Sequence, residues 1–175
     1  MDRNQQIFDE FISKINDHFC FLSKSGGKLV GFQSTDSFDN AFVVIETYDF
    51  RIRFLRERSS YAIQIGTPNS PINWESEDWY DLVFIIMYLT KNEILITEYE
   101  KFQFDDKKQL TYLSAVLKYY YEKIADLFNS EVFKNEKTNL FEECKRLQLY
   151  IYEPSMIKRK EKLEKNAKKI IKLID

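Results

Sequence analysis

Arginine is concentrated in the stretch RIRFLRER, residues 51–58, where it fills four of eight positions. Side chains of a β-strand alternate between its two faces, so Arg51 and Arg53 would point away from the apolar even-numbered residues. Guanidinium groups bind phosphate bidentately, and a row of them on a strand is one way to follow a nucleic-acid backbone. The alternative, favoured by the nearly balanced charge of this region, is that Arg51 and Arg53 are solvated by water.

Arg56 and Arg58 have a different predicted role. Continuing the alternation places Arg56 at the strand end on the apolar side, where a buried charge needs a charged partner. The stretch ESEDWYD, residues 75–81, contains the nearest cluster of carboxylates that follows in the sequence. We therefore predict that Arg56 or Arg58 forms a structural ion pair with one of these acids and ties the next helix to the sheet.

The same acidic stretch is also a candidate binding surface. Aromatic rings among carboxylates suit a basic protein partner, because rings anchor an interface and charges steer its encounter. The alternative is that Trp79 belongs to the core and that the acids form the first turn of a helix, where the helix dipole favours them. Trp74, in the preceding loop, is predicted to be exposed. The candidate partner-binding residues are Trp74, Glu75, Glu77, Asp78, Tyr80 and Asp81.

Few residues have the types and spacing that catalysis requires. The single histidine, His18, lies in a helical pattern beside apolar residues, and Cys20 and Cys144 are too far apart in sequence for a ligand or redox motif. Gly26-Gly27 is an isolated pair that predicts a turn rather than a phosphate-binding loop. We predict a protein without catalytic residues, metal or cofactor.

Charge is distributed unevenly along the chain. Residues 156–175 contain eight Lys/Arg and three acids, a sum of +5, which leaves −7 for the rest of a chain whose net charge is −2. The lysines alternate with an apolar seam, a pattern typical of a helix docked by that seam with its lysines in water. Under a nucleic-acid hypothesis, the anion-binding candidates would be Arg51, Arg53, Lys165, Lys168 and Lys169.

Hydrophobic periodicity predicts the elements that position these residues. Residues 5–22 have apolar side chains at three- and four-residue spacing, which predicts a first helix. Four β-rich runs follow between residues 28 and 66, separated by polar turns, and predict four antiparallel strands. Residues 66–74 contain two of the three prolines and are predicted to be a loop.

Helical periodicity then returns. A short helix is predicted with Trp79, Leu82 and Leu89 on one face, and a longer helix starts at Asp105 or Asp106. A further helix runs to about residue 150, and a last one covers 155–174, while residues 91–104 are ambiguous between an extended edge segment and irregular chain.

The predicted fold class is therefore α+β: an N-terminal helix, a four-stranded antiparallel sheet and three to four C-terminal helices. Residues 1–153 would form one domain, with 154–175 as a basic helix that docks on it. Phe42, Val44 and Leu55 point to the second face of the sheet and need cover from the first helix or from a second copy of the chain, as in a homodimer.

The longest apolar run has eight residues, at 82–89, far short of the roughly 20 that span a bilayer. No signal-like stretch opens the sequence, and two isolated cysteines suit a reducing compartment. These features predict a cytoplasmic protein that does not bind a membrane.

The order of three motifs resembles a known family. IRFLRERSSYAIQIG, then a proline-containing loop and WYDL, then QLTYLSAVLKYYYEKIADLF, is similar to small bacterial immunity proteins encoded beside polymorphic or contact-dependent toxins. The shared features are Arg56-Glu57-Arg58 at a strand end and Trp79-Tyr80-Asp81-Leu82 at a helix start. The resemblance spans roughly residues 28–150 and implies a stoichiometric inhibitor that binds and blocks a cognate toxin without catalysis.

Overall fold

A computed structural model describes residues 3–35, 40–58, 60–74, 78–91, 102, 104–150 and 165–166. Within these residues the chain forms an α+β fold with one antiparallel sheet. The helices are α1 (Arg3–His18), a 3-10 helix (Cys20–Ser25), α2 (Leu82–Leu89), α3 (Asp106–Phe128) and α4 (Ser130–Tyr150). The strands are β1 (Lys28–Ser34), β2 (Ala41–Glu46), β3 (Arg51–Glu57), β4 (Ser60–Gly66) and β5 (Trp79–Asp81).

The sheet confirms the four predicted strands and adds a fifth. The described strands follow the order β1-β2-β3-β4-β5, and every neighbouring pair is antiparallel. Trp79, predicted on a helix, instead pairs with Gly66 across β4 and β5, and α2 begins only at Leu82. A strand of three residues is too short for a two-residue period to show in sequence, and the edge of β4 supplies its hydrogen bonds.

The alternation predicted for β3 is confirmed. Phe50, Ile52 and Phe54 lie in the main hydrophobic core, each at most 2% exposed. Helices cover this first face of the sheet, and the same core cluster contains Phe11 of α1 and Leu117 of α3. The sheet and its helices therefore share one continuous apolar interior.

Local signals set two helix boundaries. The Asp105 side chain accepts a hydrogen bond from the backbone N–H of Lys108 at 3.1 Å, which confirms the predicted cap of α3. The first helix is shorter than predicted, because the chain tightens into the 3-10 helix after His18. That helix ends at Gly26, whose φ of 72° is in the left-handed region that glycine adopts most readily.

Among the described residues, Arg56 meets a carboxylate of α1 and not Asp78 or Asp81; Glu75 and Glu77, also predicted as partners, lie outside the described residues. Nη1 of Arg56 lies 3.7 Å from Oε1 of Glu10, on α1. Arg56 is on the helix-covered face at the end of β3, so the carboxylate it meets comes from the helix above it. Arg58 occupies the turn after β3 with φ 57°, its side chain is exposed, and its backbone N–H donates to Oδ1 of Asn40 at 3.1 Å.

A second polar cluster joins α1 to α3 near the same end of the sheet. Nζ of Lys14 lies 2.7 Å from Oδ2 of Asp106 and 2.6 Å from Oε1 of Glu10. The hydroxyl of Tyr61 also donates to Oδ2 of Asp106, at 3.0 Å. Burial raises the pKa of the Asp106 carboxyl, but hydrogen bonds from Lys14 and Tyr61 outweigh it and lower the pKa below its usual value.

The second face of the sheet is covered, among the described residues, by a segment of the same chain and not by α1, which was one of the two predicted covers. Residues 67–74, here called the covering segment, lie over it. Phe42, Val44 and Trp79 form a separate buried cluster there, with Leu55 and Trp74 packed against it. Ile72 lies directly over Gly31 of β1, where a Cβ would approach Cγ2 of Ile72 to 2.3 Å.

Two predictions fall largely outside the described residues. The ambiguous segment 91–104 is described only at Lys91, Phe102 and Phe104. Of the predicted helix 155–174, only Lys165 and Asn166 are described, and both have helical backbone conformation.

Candidate partner-binding site

Arg53 anchors the covering segment from below. Its Nε and Nη2 donate to Oε1 of Gln64 at 2.9 and 2.5 Å, and its Nη1 donates to the carbonyl of Asn73 at 2.6 Å. The guanidinium carbon lies 4.6 Å from the ring centroid of Trp79 and 5.7 Å from that of Phe42. Arg53 is only 4% exposed, and burial lowers its pKa to about 10, against the opposing charge of Asp81.

Arg51 and Trp79 fix the covering segment at two further carbonyls. Nη1 of Arg51 donates to the carbonyl of Ser70 at 2.6 Å, while its Nη2 lies 2.6 Å from Oε2 of Glu46. Nε1 of Trp79 donates to the carbonyl of Pro71 at 3.0 Å. Three backbone carbonyls within four residues of the segment, 70–73, are thus held by side chains of the sheet.

These contacts correct the anion-binding assignment of Arg51 and Arg53. Both side chains point to the second face, as predicted, but that face is covered rather than solvated. Their guanidinium donors bind protein acceptors, so neither presents a free fork to a phosphate. Lys165 is exposed, and Lys168 and Lys169 lie outside the described residues.

A polar row crosses the second face from Arg53 to the edge strand. The register places Arg53 opposite Gln64 and Gln64 opposite Asp81. Gln64 accepts from Arg53 through Oε1 and donates through Nε2 to Oδ1 of Asp81 at 2.8 Å. The Gln64 amide therefore bridges a buried guanidinium and a carboxylate.

The environment of Asp81 disfavours the ionised form of its carboxyl group. Burial raises its pKa above the usual value, the Gln64 hydrogen bond and the Arg53 charge oppose that shift, and the charge of Glu57 adds to it. Asp81 occupies the N-cap position of α2, yet its side chain makes no capping hydrogen bond. The role that usually explains an aspartate at this position is therefore absent.

A cavity of about 280 Å³ opens beside Asp81, at the β3–β4–β5 end of the second face. Leu55 and Ala62, neighbours across β3 and β4, form its apolar floor. Glu57, Gln64 and Asp81 contribute its polar walls. This cavity is the concave, acidic part of the surface next to the covering segment.

The six predicted partner-binding residues have different environments. Trp74 is half-buried rather than exposed: its ring packs edge-on against Phe42 at 4.8 Å, and its indole N–H is buried without an acceptor among the described residues. Tyr80 is 5% exposed and packs against Phe128 and Phe133, so it is core, not surface. Glu75 and Glu77 lie outside the described residues.

Of the four that the structure describes, two are accessible to a partner. Asp78 is half-exposed, and its Oδ1 lies 3.1 Å from Nζ of Lys137 on α4. Asp81 lines the cavity. Asn73 and Ile72, which the sequence reasoning omitted, are also accessible: Asn73 is exposed, and Ile72 is 38% exposed although it packs over Gly31.

Glu57 and Gln64 were also missed as site residues. The sequence contained part of the information needed to find them. A two-residue turn after Glu57 fixes the β3–β4 register, and that register places Gln64 opposite Arg53. The pairing of Gln64 with Asp81 depended on β5, which the sequence did not reveal.

Neither metal-binding clusters nor spanning helices are found where the structure describes the chain. Among the described residues, no group of three or more His, Cys, Asp or Glu side chains is arranged to hold a metal ion. No helix in the described ranges is both long and apolar enough to cross a membrane.

Comparison with protein-family models, with curated proteins and with solved structures found no match to this chain. The resemblance to immunity proteins therefore stays a prediction from the motifs of this sequence.

Proposed function

We propose that this protein is a non-catalytic binding protein that inhibits a bacterial toxin by occupying it, as the resemblance implies. The binding surface would be the covering segment together with the acidic stretch that follows it, residues 75–81. The observation that supports this proposal is the fixed backbone of the covering segment, whose carbonyls at Ser70, Pro71 and Asn73 accept hydrogen bonds from side chains of the sheet.

A fixed loop is suited to tight binding. Ordering a mobile loop on association costs free energy, and a loop already held in place avoids most of that cost. Here donors of Arg51, Arg53 and Trp79 hold the inner side of the segment, while Ile72, which packs over Gly31, keeps 38% of its surface exposed. An exposed apolar side chain on a rigid loop, flanked by acids, has the composition of an interface with a basic partner.

The first experiment is an affinity purification of the tagged protein from its own cells, with and without added nuclease. We expect one protein to co-purify at near-stoichiometric amounts in both preparations. That protein, expressed alone in a test bacterium, should stop growth, and co-expression of this chain should restore it. Co-purified nucleic acid that disappears with nuclease, with no protein retained, would contradict the proposal.

The surface is tested by a matched pair of triple variants. Ile72→Ser with Glu75→Gln and Glu77→Gln removes the exposed apolar side chain and two charges of the proposed surface. Val132→Ser with Glu122→Gln and Glu131→Gln removes the same groups from α3 and α4, where Val132 is 44% exposed. We expect the first variant to lose the partner and the second to retain it; equal retention by both would show that the surface is assigned wrongly.

A further inference from the structure

The cavity beside Asp81 has a chemical character of its own. Its floor is apolar, from Leu55 and Ala62, and its walls include the carboxylates of Glu57 and Asp81 together with the hydroxyl-bearing Ser60. The side chains that line it include no lysine or arginine. Its volume of about 280 Å³ lies just below the roughly 300–1,000 Å³ of pockets that enclose whole small ligands, so it suits a single long side chain.

The two carboxylates are not balanced by ion pairs within the described part of the chain. Oδ1 of Asp81 accepts from Gln64, and neither Asp81 nor Glu57 forms a salt bridge there. Arg53, whose charge favours the ionised form of Asp81, donates to Gln64 and to the Asn73 carbonyl, and it does not line the cavity. Two negative charges thus face a cavity that contains no opposing charge.

Within the described residues, the structural partner of Asp81 is the Gln64 amide, which bridges it to Arg53. Asp81 does not cap α2, and its partial burial next to Glu57 places two like charges near each other. Like charges side by side oppose folding unless a cation joins them. Lysine and arginine match the cavity in both respects, because their stems are apolar and their heads are cationic.

We propose that this cavity receives a lysine or arginine side chain of the protein partner, with the stem on Leu55 and Ala62 and the charged head between Asp81 and Glu57. This inference rests on the proposed function and names the chemistry that the partner must present. A nucleic acid, whose backbone is anionic, would be repelled from the same cavity.

The cavity is tested first without the partner. Nα-acetyl-L-arginine methylamide is titrated into the isotopically labelled protein, and the side-chain amide resonance of Gln64 is followed, because Nε2 of Gln64 donates to Asp81. The citrulline counterpart of the probe has nearly the same shape without the charge. We expect saturable shifts with the arginine probe only.

Variants then locate the binding. Asp81→Asn keeps an oxygen for Gln64 and removes the charge, and we expect it to weaken arginine-probe binding about tenfold or more, as for the loss of a charge-assisted hydrogen bond. Glu57→Gln should weaken it several-fold. Glu122→Gln, which removes an exposed charge of α3, should leave it unchanged. Equal shifts with both probes, or unchanged binding in Asp81→Asn, would overturn the inference.

The co-purified partner separates this inference from the proposed function. If Asp81→Asn with Glu57→Gln captures the partner as well as Glu122→Gln does, the inference fails while the inhibitor proposal stands. If the arginine probe binds as expected but no protein co-purifies, the cavity is selective for cations and the inhibitor proposal fails.

Discussion

At the scale of single residues, Arg53 determines how the second face of the sheet is built. It is 4% exposed, lies between two aromatic rings, and supplies donors to Gln64 and to the covering segment. A buried acceptor that loses its donor costs free energy. The loss of an exposed charged side chain, such as a surface lysine, costs little. Arg53 therefore holds the covering segment in place, with its donors bound to protein acceptors.

Replacing Arg53 by Met should lower the free energy of unfolding by about 2–4 kcal/mol, because the Asn73 carbonyl and Gln64 lose a charged donor. Urea denaturation measures this change. Lys118→Met is the control: Lys118 is exposed on α3, and its loss should cost no more than about 0.5 kcal/mol. If the Arg53→Met protein were as stable as Lys118→Met, Arg53 would not be needed to hold the covering segment in place.

Asp81 should make stability depend on pH in the opposite direction to most carboxylates. Its folded-state pKa is raised, mainly by burial, so the folded state binds the proton more tightly than the unfolded chain does. Its favourable contribution is present below the unfolded pKa, about 4, and is lost as pH rises through the folded pKa. The unfolding free energy of Asp81→Asn minus that of the wild-type protein should therefore increase as pH rises from about 4.

The measurement is the difference in unfolding free energy between the two proteins at a series of pH values. Glu122→Gln, compared with wild type in the same way, provides the reference for loss of an exposed charge. If the unfolding free energy of Asp81→Asn minus that of wild type instead decreases with rising pH, the folded state stabilises the Asp81 carboxylate.

At the scale of elements, the covering segment and β1 fit each other closely. Gly31 leaves room for Ile72, and a methyl group at Gly31 would meet Cγ2 of Ile72 at 2.3 Å. The absence of a side chain at this position therefore allows the covering segment to approach the sheet. Gly31 is needed for this contact and not for backbone conformation, since its φ is not in the left-handed region.

Gly31→Ala should lower the free energy of unfolding by about 1 kcal/mol or more, through overpacking against Ile72. Ile72→Ala in the same chain should remove most of that cost, because it deletes the methyl groups that clash. Thermal or urea unfolding of the two single variants and the double variant forms a double-mutant cycle. Additive effects would show that the two residues do not meet.

At the scale of the whole molecule, the sheet separates the helical layer from the covered second face, and a different spectroscopic signal reports each of them. The helices contact one face, while both tryptophans of the chain, Trp74 and Trp79, belong to the cluster on the other. Far-ultraviolet circular dichroism therefore reports mainly the helical layer, and tryptophan fluorescence reports the covered face.

We expect the two signals to change at the same denaturant concentration, because β2 and β3 contribute residues to the clusters on both faces and Arg53 of β3 fixes the covering segment to the sheet. Coincident transitions are the mark of two-state unfolding. A fluorescence transition at distinctly lower urea would mean that the covering segment detaches before the fold is lost, which would contradict its description as a fixed segment. Arg53→Met is the comparison: in this variant the fluorescence transition should occur at lower urea than the circular dichroism transition.

The sequence alone determined the features that depend on local periodicity. Alternation along β3 separated the core residues from Arg51 and Arg53, helical spacing located α1, α3 and α4, and Asp105 was identified as a candidate cap. These patterns are readable because a strand repeats every two residues and a helix every 3.6, whatever surrounds them. The α+β class followed from the same patterns.

Only the tertiary structure decided which groups meet. Arg53 was predicted to be solvated and is buried, Arg56 lies beside Glu10 of α1, which was not among its predicted partners, and Tyr80 proved to be core. The short strand β5 and the path of the covering segment set these contacts, and neither has a period that a sequence can show. A charged side chain takes the partner that long-range packing brings to it, so the environment of each arginine is a property of the whole fold.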